Sequence, residues 1–488
     1  MPVKSVFFHL TRFWLNIGRR VVVLALLTAV LWAYAQTLLR QSPSSGDRPP
    51  LHTMEERLLA MTLEAKHDQM LDFSRGVSEP LHNWLPHRTD GLVRPLWPWM
   101  MAWLMDGAEG KEGGSGVSPR FAQRVHLLKL SFSFGVLLLF GLACARAFSV
   151  PAALLTTFLV GFGAFLPSCQ FFLPDLLFSV LFLITWICCI AALKRNSLWL
   201  YGVIGFFSAL TNLSAPTVTS LVLVFVLVST LRWAWGWLVS HQASGGTTLW
   251  VRRNHWLGLM LLAVCHLITT GPMLAYAHQK FGDAAPFHWR WFDSANDIRA
   301  WTATHQTREA LHAVPEDQRP SLANYRSTHT TEEIRSRLRQ GARTVVESVL
   351  NFSWHRVCPR GCFAAALAGV LVLLLLMLVF VAPRAHHAGQ ALHPETAPIV
   401  LFSVLALTVC TFDFGWDARV LDFGHRVLAL YAPLVLSLIW ACEALVQRVR
   451  RRQTRAPVLF SYEVLLWLLC AAAAWWLIAF LQPASSTA

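Results

Sequence analysis

Residues 176–193 read LLFSVLFLITWICCIAAL, a stretch without a single charged side chain. Asp175 precedes this stretch, and Lys194 and Arg195 follow it. An apolar run of about 20 residues is long enough to cross the hydrocarbon core of a bilayer as a helix. Because backbone groups surrounded by lipid must be hydrogen-bonded within the segment, we predict a transmembrane helix here.

Similar apolar runs recur along the whole chain. Of the 488 residues, 55% are hydrophobic and 14% are charged, whereas a soluble protein carries about 25% charged residues. The length criterion predicts eleven spans, at approximately residues 18–39, 125–148, 151–168, 175–193, 197–213, 215–231, 256–277, 362–382, 397–412, 427–446 and 459–481. The predicted fold is therefore all-α, a polytopic transmembrane helical protein.

The basic residues indicate how the chain is oriented. They stand in short clusters at the ends of the apolar runs, which argues against nucleic-acid binding despite the net charge of +14. With the N terminus inside, Arg146, Lys194, Arg232, Arg384 and the cluster 448–455 all fall on one side, as the positive-inside rule requires. We therefore expect a multi-pass protein of the plasma (inner) membrane with a cytoplasmic N terminus.

This topology divides the chain into five parts. They are an N-terminal segment with a retained first span, a long outer loop, spans 2–7, a second outer loop and spans 8–11, at residues 1–39, 40–124, 125–277, 278–361 and 362–488. Each loop carries a predicted amphipathic helix with a capping box, Thr53 with Glu56 and Thr330 with Glu333. The second loop also holds an aromatic cluster, residues 287–292, which is more typical of a membrane-interface belt than of a sugar platform.

Polar residues from separate parts of the chain fall near the outer membrane face. In chain order they are Glu55, Glu56, Asp90, Arg94, Asp175, Asp413, Asp417, Arg419, Asp422, His425 and Arg426. Carboxylates at a membrane boundary serve as a general base or hold a divalent cation. Arginines bind a phosphate through paired hydrogen bonds. Together these residues suit a lipid-phosphate substrate, with its tail in the bilayer and its headgroup at the surface.

At these residues the chain resembles the GT-C membrane glycosyltransferases, in particular bacterial relatives of the protein O-mannosyltransferases and of the aminoarabinose transferase. Glu55-Glu56 takes the place of an early acidic pair. The motif at residues 94–99, RPLWPW, is similar to one that leads into a membrane-surface helix. Leu173-Pro-Asp175 looks like an apolar-Pro-Asp turn, and residues 425–433, HRVLALYAP, correspond to a late basic motif. The resemblance covers most of the chain.

The resemblance implies transfer of a sugar from a polyprenyl-phosphate donor to a lipid, polysaccharide or protein acceptor on the outer face of the membrane. It implies that Glu55 or Glu56 is the general base or a metal ligand, and that Asp175 supports that site. Arg94 and Arg426, with His425 beside it, would bind the carrier phosphate. Asp90, Arg419 and Asp422 would give further support. A divalent metal is left open, and no other cofactor is expected.

One residue departs from the family pattern. The early pair usually begins with aspartate, whereas this chain has Glu55, whose side chain is one methylene longer. Because active-site geometry is tight, either Glu56 is the base, or the pair is shifted toward Asp68, Asp72 or Asp90, or catalysis is altered.

Each assigned residue also has a structural explanation. The two glutamates would stabilise a helix N terminus, Asp175 would cap a helix, and Arg94 would anchor the chain at the interface. Two other functions remain open. One is a lipid-linked sugar transporter or flippase, although the spans offer few ionisable residues for a polar route. The other is a non-catalytic protein on the same fold.

Overall fold

A computed structural model gives the structure of the protein. It describes residues 24–37, 62–63, 94–105, 119–169, 174–195, 197–242, 248–281, 290–304, 314–315, 318–350, 397–418, 424–451 and 456–481. The regular structure within these ranges is helical throughout, so the predicted all-α class is confirmed.

The helices are numbered here in chain order. They are α1 (Leu24–Thr37), α2 (Leu96–Leu104), α3 (Pro119–Ala147), α4 (Val150–Val160), α5 (Asp175–Arg195), α6 (Leu198–Ser214), α7 (Thr219–Gln242), α8 (Thr248–Phe281), α9 (Ala295–Thr304), α10 (Leu322–Thr328), α11 (Thr331–Leu350), α12 (Ala397–Trp416), α13 (Tyr431–Arg451) and α14 (Ala456–Leu481). Helix α4 continues through a π-helical turn, Gly161–Phe165, to Leu166–Ser168. A 3-10 turn, Gly424–Leu430, leads directly into α13.

Seven helical segments are long and apolar enough to cross a membrane, and they lie in α3, α4 with its continuation, α5, α7, α8, α12 and α13. Three further apolar helices, α1, α6 and residues 462–475 of α14, are shorter. Together these helices correspond to ten of the predicted spans. The predicted span at 362–382 and the capping box of Thr53 and Glu56 lie outside the described residues. The chain is a polytopic membrane protein.

Short links between helices define the two ends of the bundle. Only a few residues join α3 to α4 and α5 to α6, so Arg146 and Lys194 share one end, called the basic end below. The link from Ser168 to Asp175 is at the opposite end. Phe414, near the end of α12, packs against Phe178 of α5, so the C-terminal end of α12 lies there too. We call this the site end.

Helix α4 is the centre of the bundle. Its span is 94% buried inside the protein, compared with 33% for the span of α3. The hydroxyls of Thr156 and Thr157 are satisfied within the helix, since they donate to the carbonyls of Ala152 and Ala153 at 2.6 and 2.8 Å. These two hydroxyls are thereby accommodated in an apolar interior without an unmet hydrogen bond.

Helix α11 in the second long loop packs onto the site end of α12. The predicted capping box is present: the Thr330 N–H donates to Glu333 Oε2 at 2.7 Å, and the Glu333 N–H donates to Thr330 Oγ1 at 3.3 Å. Gly341 of α11 lies directly against Gly415 of α12, where a Cβ on either residue would overlap the other's backbone. The missing side chains therefore allow the loop helix to rest on the bundle.

Candidate active site

The centre of the candidate site is an ion pair between Asp175 and Arg426. Asp175 follows Pro174 at the first turn of α5, and Arg426 lies in the 3-10 turn before α13. The Arg426 Nε donates to Asp175 Oδ1 at 3.1 Å, across 251 residues of sequence. The two side chains are only 9% and 1% exposed. The structure thus joins the Leu-Pro-Asp turn to the late His-Arg motif at the site end.

Burial of this ion pair costs free energy and requires a favourable geometry. Removing each charge from water costs several kcal/mol, which is offset only by good geometry and further hydrogen bonds. The N terminus of α5 helps, because its macrodipole favours a carboxylate in the first turn. Asp175 Oδ2 is buried and has no hydrogen-bond partner in the part of the chain that the structure describes. Such an oxygen is an acceptor for a hydroxyl or a cation.

Packing around the pair determines where the 3-10 turn lies. Tyr431 comes directly after the 3-10 turn that carries Arg426 and packs against Gly163 in the π-helical turn. A Cβ at Gly163 would lie 2.5 Å from Tyr431 Cε1, so only glycine leaves room for this ring. Single π-turns within α-helices are frequent at functional sites. The π-helical turn that continues α4 thus packs against the segment that follows Arg426.

Arg94 directly precedes the Pro95 that caps α2. Its Nη1 lies 3.2 Å from Met273 Sδ on α8. Leu96 and Trp97 of α2 belong to the same apolar cluster as Leu177 and Leu181 of α5, which lie within two turns of Asp175. The Arg94 motif thus shares a cluster with the helix that carries Asp175, and its predicted contact with a phosphate stays a prediction.

The side chains of the remaining predicted site residues lie outside the part of the chain that the structure describes. Glu55, Glu56, Asp90, Arg419 and Asp422 lie outside the described residues, as do the reserve candidates Asp68 and Asp72. His425 belongs to the 3-10 turn, but its side chain is not among those described. Their assigned roles stay predictions.

A partly buried cluster around Arg337 was not expected from the sequence. The Arg337 guanidinium lies over the Trp416 ring at 4.3 Å and donates to Asp293 Oδ1 at 2.7 Å. It also donates to the carbonyls of Phe292 and Trp416. The sequence signal for Arg337 is its position between Ile334 and Leu338, on the apolar face of the predicted helix. This cluster ties the second loop to the end of α12.

Two neighbouring contacts add to this cluster. Arg290 pairs with Asp413 at 3.0 Å, which attaches the start of the described loop to α12. Trp291, from the predicted aromatic cluster, packs against the rings of Tyr325 and Trp416. Burial raises the pKa of Tyr325, although Arg337 acts in the opposite direction.

Two buried charges inside spans were also missed. Lys129 of α3 is 4% exposed, and its Nζ lies 5.5 Å from the centre of the Trp97 ring. Glu443 of α13 is likewise buried, near the basic end, and accepts hydrogen bonds from Ser149 at 2.5 Å and Tyr462 at 3.1 Å. Both residues stand alone within apolar runs, a pattern that marks costly and therefore informative positions.

The described residues contain no group of three or more His, Cys, Asp or Glu side chains arranged to hold a metal ion.

Solved structures include proteins that are similar to this chain. No family model matches the sequence, and no curated protein matches it. The chain is similar to a solved archaeal oligosaccharyltransferase from Archaeoglobus fulgidus, in complex with an inhibitory peptide and a dolichol-phosphate, with a TM-score of 0.44 and 12% sequence identity. The similarity covers 95% of this chain and 55% of that protein, so this chain spans little more than half of its length.

Proposed function

We propose that this membrane protein is a glycosyltransferase of the GT-C type. It moves a sugar from a polyprenyl-phosphate donor to an acceptor on the outer face of the membrane. The ion pair of Asp175 and Arg426 is the observation that carries the proposal, because it unites two motifs that the sequence assigns to one lipid-phosphate site. A buried guanidinium at the end of a membrane bundle suits the phosphate of a lipid carrier.

The geometry of the pair supports distinct roles for its two members. A guanidinium carries five N–H donors in a rigid plane, and Asp175 holds the Nε of Arg426. Fixing Nε orients the whole guanidinium plane, so that the edge formed by the two Nη atoms can bind phosphate oxygens in pairs. Asp175 is therefore a positioning residue for Arg426, and the role of general base falls to Glu55 or Glu56.

The proposed reaction is a single displacement at the anomeric carbon. The acceptor hydroxyl oxygen forms a bond to that carbon while the bond from carbon to the carrier phosphate oxygen breaks. The phosphate leaves with the electron pair, and the hydroxyl proton passes to the carboxylate of Glu55 or Glu56. Arg426 and Arg94 stabilise the negative charge that develops on the phosphate.

The basic residues support an outer location for this chemistry. Arg146, Lys194 and Arg195 lie at the basic end, opposite Asp175 and Arg426. By the positive-inside rule the basic end faces the cytoplasm, so the site end faces outward.

Sugar transfer in membranes tests the proposal. The assay measures transfer from a radiolabelled polyprenyl-phosphate sugar by the full chain and by the variants Glu55→Gln, Glu56→Gln, Asp175→Asn and Arg426→Gln. Loss of a group that stabilises developing charge lowers the rate by about 100- to 1000-fold, which we expect for Arg426→Gln. The matched control is Arg343→Gln, which removes an exposed arginine paired with Glu347 on α11.

Three outcomes distinguish the possibilities. Loss of transfer in Arg426→Gln with full activity in Arg343→Gln supports the site. Full activity in all four site variants overturns it. Movement of the lipid-linked sugar across the membrane without a transfer product would instead identify a flippase.

A further inference from the structure

Lys129 is a buried charge that the proposed reaction has not used. It lies on α3 six residues after Gln123, where the apolar span begins, so its Cα is about 9 Å into the span at 1.5 Å per residue. Ionisable residues at such depth are costly and mark the paths of substrates or ions. The Pro119 end of α3 belongs to the site end, because α3 meets α4 at the basic end. Lys129 is thus in the half of the bundle that holds Asp175.

The face of α3 that carries Lys129 packs against α2. Phe121 and Val125, two turns and one turn before Lys129, share an apolar cluster with Trp97 of α2 and Leu177 of α5. Continuing this face, the Lys129 ammonium lies over the Trp97 ring. One turn further on, Ser133 is hydrogen-bonded to Tyr34 of α1. The ammonium therefore lies where α1, α2 and α3 meet, close to the helix that begins with Asp175.

Three basic residues lie along α2. Arg94 immediately precedes its capping residue, and Lys129 lies over its second residue, Trp97. Arg124 donates from Nη1 to the carbonyl of Leu104, the last residue of α2, at 3.3 Å. The helix itself is apolar, LWPWMMAWL, and Trp103 is exposed on its surface. An apolar helix between cations matches a ligand that combines a long hydrocarbon chain with an anionic head.

We propose that Lys129, together with Arg94, binds the phosphate of the polyprenyl carrier beside α2, with the carrier's chain running into the bilayer. The proposal rests on the proposed function and names a contact of its donor. A lysine ammonium binds phosphate as a compact point charge, whereas Arg426 binds it as a planar fork. Lys129 therefore supplies affinity for the carrier, and Arg426 acts on the phosphate as it leaves.

Lipid binding by the purified full chain tests the proposal without any need for activity. The probes are undecaprenyl phosphate, undecaprenol and phosphatidylglycerol, with binding measured by native mass spectrometry in detergent. Lys129→Met removes the charge with similar volume, and Lys129→Arg keeps it. Lys194→Met is the matched control, since Lys194 is exposed at the basic end.

We expect Lys129→Met to weaken binding of undecaprenyl phosphate by at least about tenfold, which corresponds to ~1.4 kcal/mol. Binding of undecaprenol should not change, and Lys129→Arg and Lys194→Met should bind the phosphate like the parent protein. Unchanged binding of undecaprenyl phosphate by Lys129→Met overturns the proposal. If Lys129→Met weakens binding of phosphatidylglycerol about tenfold and leaves binding of undecaprenyl phosphate unchanged, the proposal is also overturned, because the site would then hold a bilayer phospholipid.

A second measurement uses the unsubstituted protein, in case Lys129→Met does not fold. A photoactivatable analogue of undecaprenyl phosphate is cross-linked, and the labelled peptides are mapped. Labels on the segments 94–105 and 121–133 support the contact, and labels confined to other segments overturn it. If the parent protein binds undecaprenyl phosphate only elsewhere yet transfers sugar, this proposal fails and the proposed function stands. If it neither binds the lipid nor transfers sugar, both fail.

Discussion

Tyr431 packs its ring against the backbone of Gly163, inside the π-helical turn that continues α4. Tyr431 begins α13 directly after the 3-10 turn that carries Arg426. The contact therefore connects the centre of the bundle to the position of a guanidinium in the candidate active site. A substitution at Gly163 should therefore shift the position of Arg426.

Gly163→Ala should destabilise the protein and lower sugar transfer. The added Cβ would lie 2.5 Å from Tyr431 Cε1, so the ring and the turn that follows Arg426 must shift. Overpacking of this kind costs about 1–3 kcal/mol. Thermal unfolding in detergent, with transfer measured in parallel, checks this.

The matched control is Gly135→Ala, where no atom lies within 4 Å of the new Cβ. In a helix interior that change is expected to stabilise by about 0.5–1 kcal/mol. Equal unfolding temperatures for the two variants would contradict the proposed packing role of Gly163.

Asp175 and Arg426 should behave as one unit in a double-mutant cycle. Asp175→Asn leaves a buried arginine without its partner carboxylate, and Arg426→Gln does the reverse. Each single change should destabilise by about 3–5 kcal/mol, and the double variant should be no less stable than the worse single one. Unfolding of all four proteins in one detergent measures the coupling. Strictly additive losses would mean that the two side chains do not interact.

Gly341→Ala should loosen the second loop. The new Cβ would overlap the backbone at Gly415, so α11 must move away from α12. Tryptic cleavage at the exposed arginines of α11, such as Arg339 and Arg343, should then become faster, because a loosened helix unfolds locally more often. Gly236→Ala serves as the comparison, since open space surrounds its new Cβ. Cleavage at the same rate in both variants would show that the crossing tolerates a methyl group.

Substitution of two arginines that are two positions apart on α11 should have very different effects on stability. Arg337 is held between Trp416 and Asp293, whereas Arg335 is 67% exposed and lies 4.0 Å from Glu332. Arg337→Gln should cost roughly 1–3 kcal/mol, since it breaks several hydrogen bonds of a partly buried guanidinium, and Arg335→Gln less than about 1 kcal/mol. Hydrogen exchange of residues 322–350 reports the difference. Arg337→Lys should not restore protection, because an ammonium cannot reproduce the planar stacking and forked hydrogen bonds.

The sequence determined the membrane class, the helices and the local caps of this protein. A long apolar run is a local property, so α5 begins at the predicted Asp175 and ends two residues beyond the predicted limit, whereas α7 and α8 extend further past theirs. The capping box of Thr330 and Glu333 is equally local, because its two residues are one turn apart. The sequence also singled out Asp175 and Arg426 as polar residues at the same membrane face.

Only the tertiary structure decided which helices lie inside the bundle and which charges meet. The spans Val150–Ser168 and His255–Gln279 have the same mean hydropathy of 1.8, yet 94% of the first and 28% of the second is buried inside the protein. Lipid and protein interior are similarly apolar, so composition does not distinguish a central helix from a lipid-facing one. For the same reason the contact of Asp175 with Arg426 and the burial of Lys129 beside Trp97 depend on packing between distant segments.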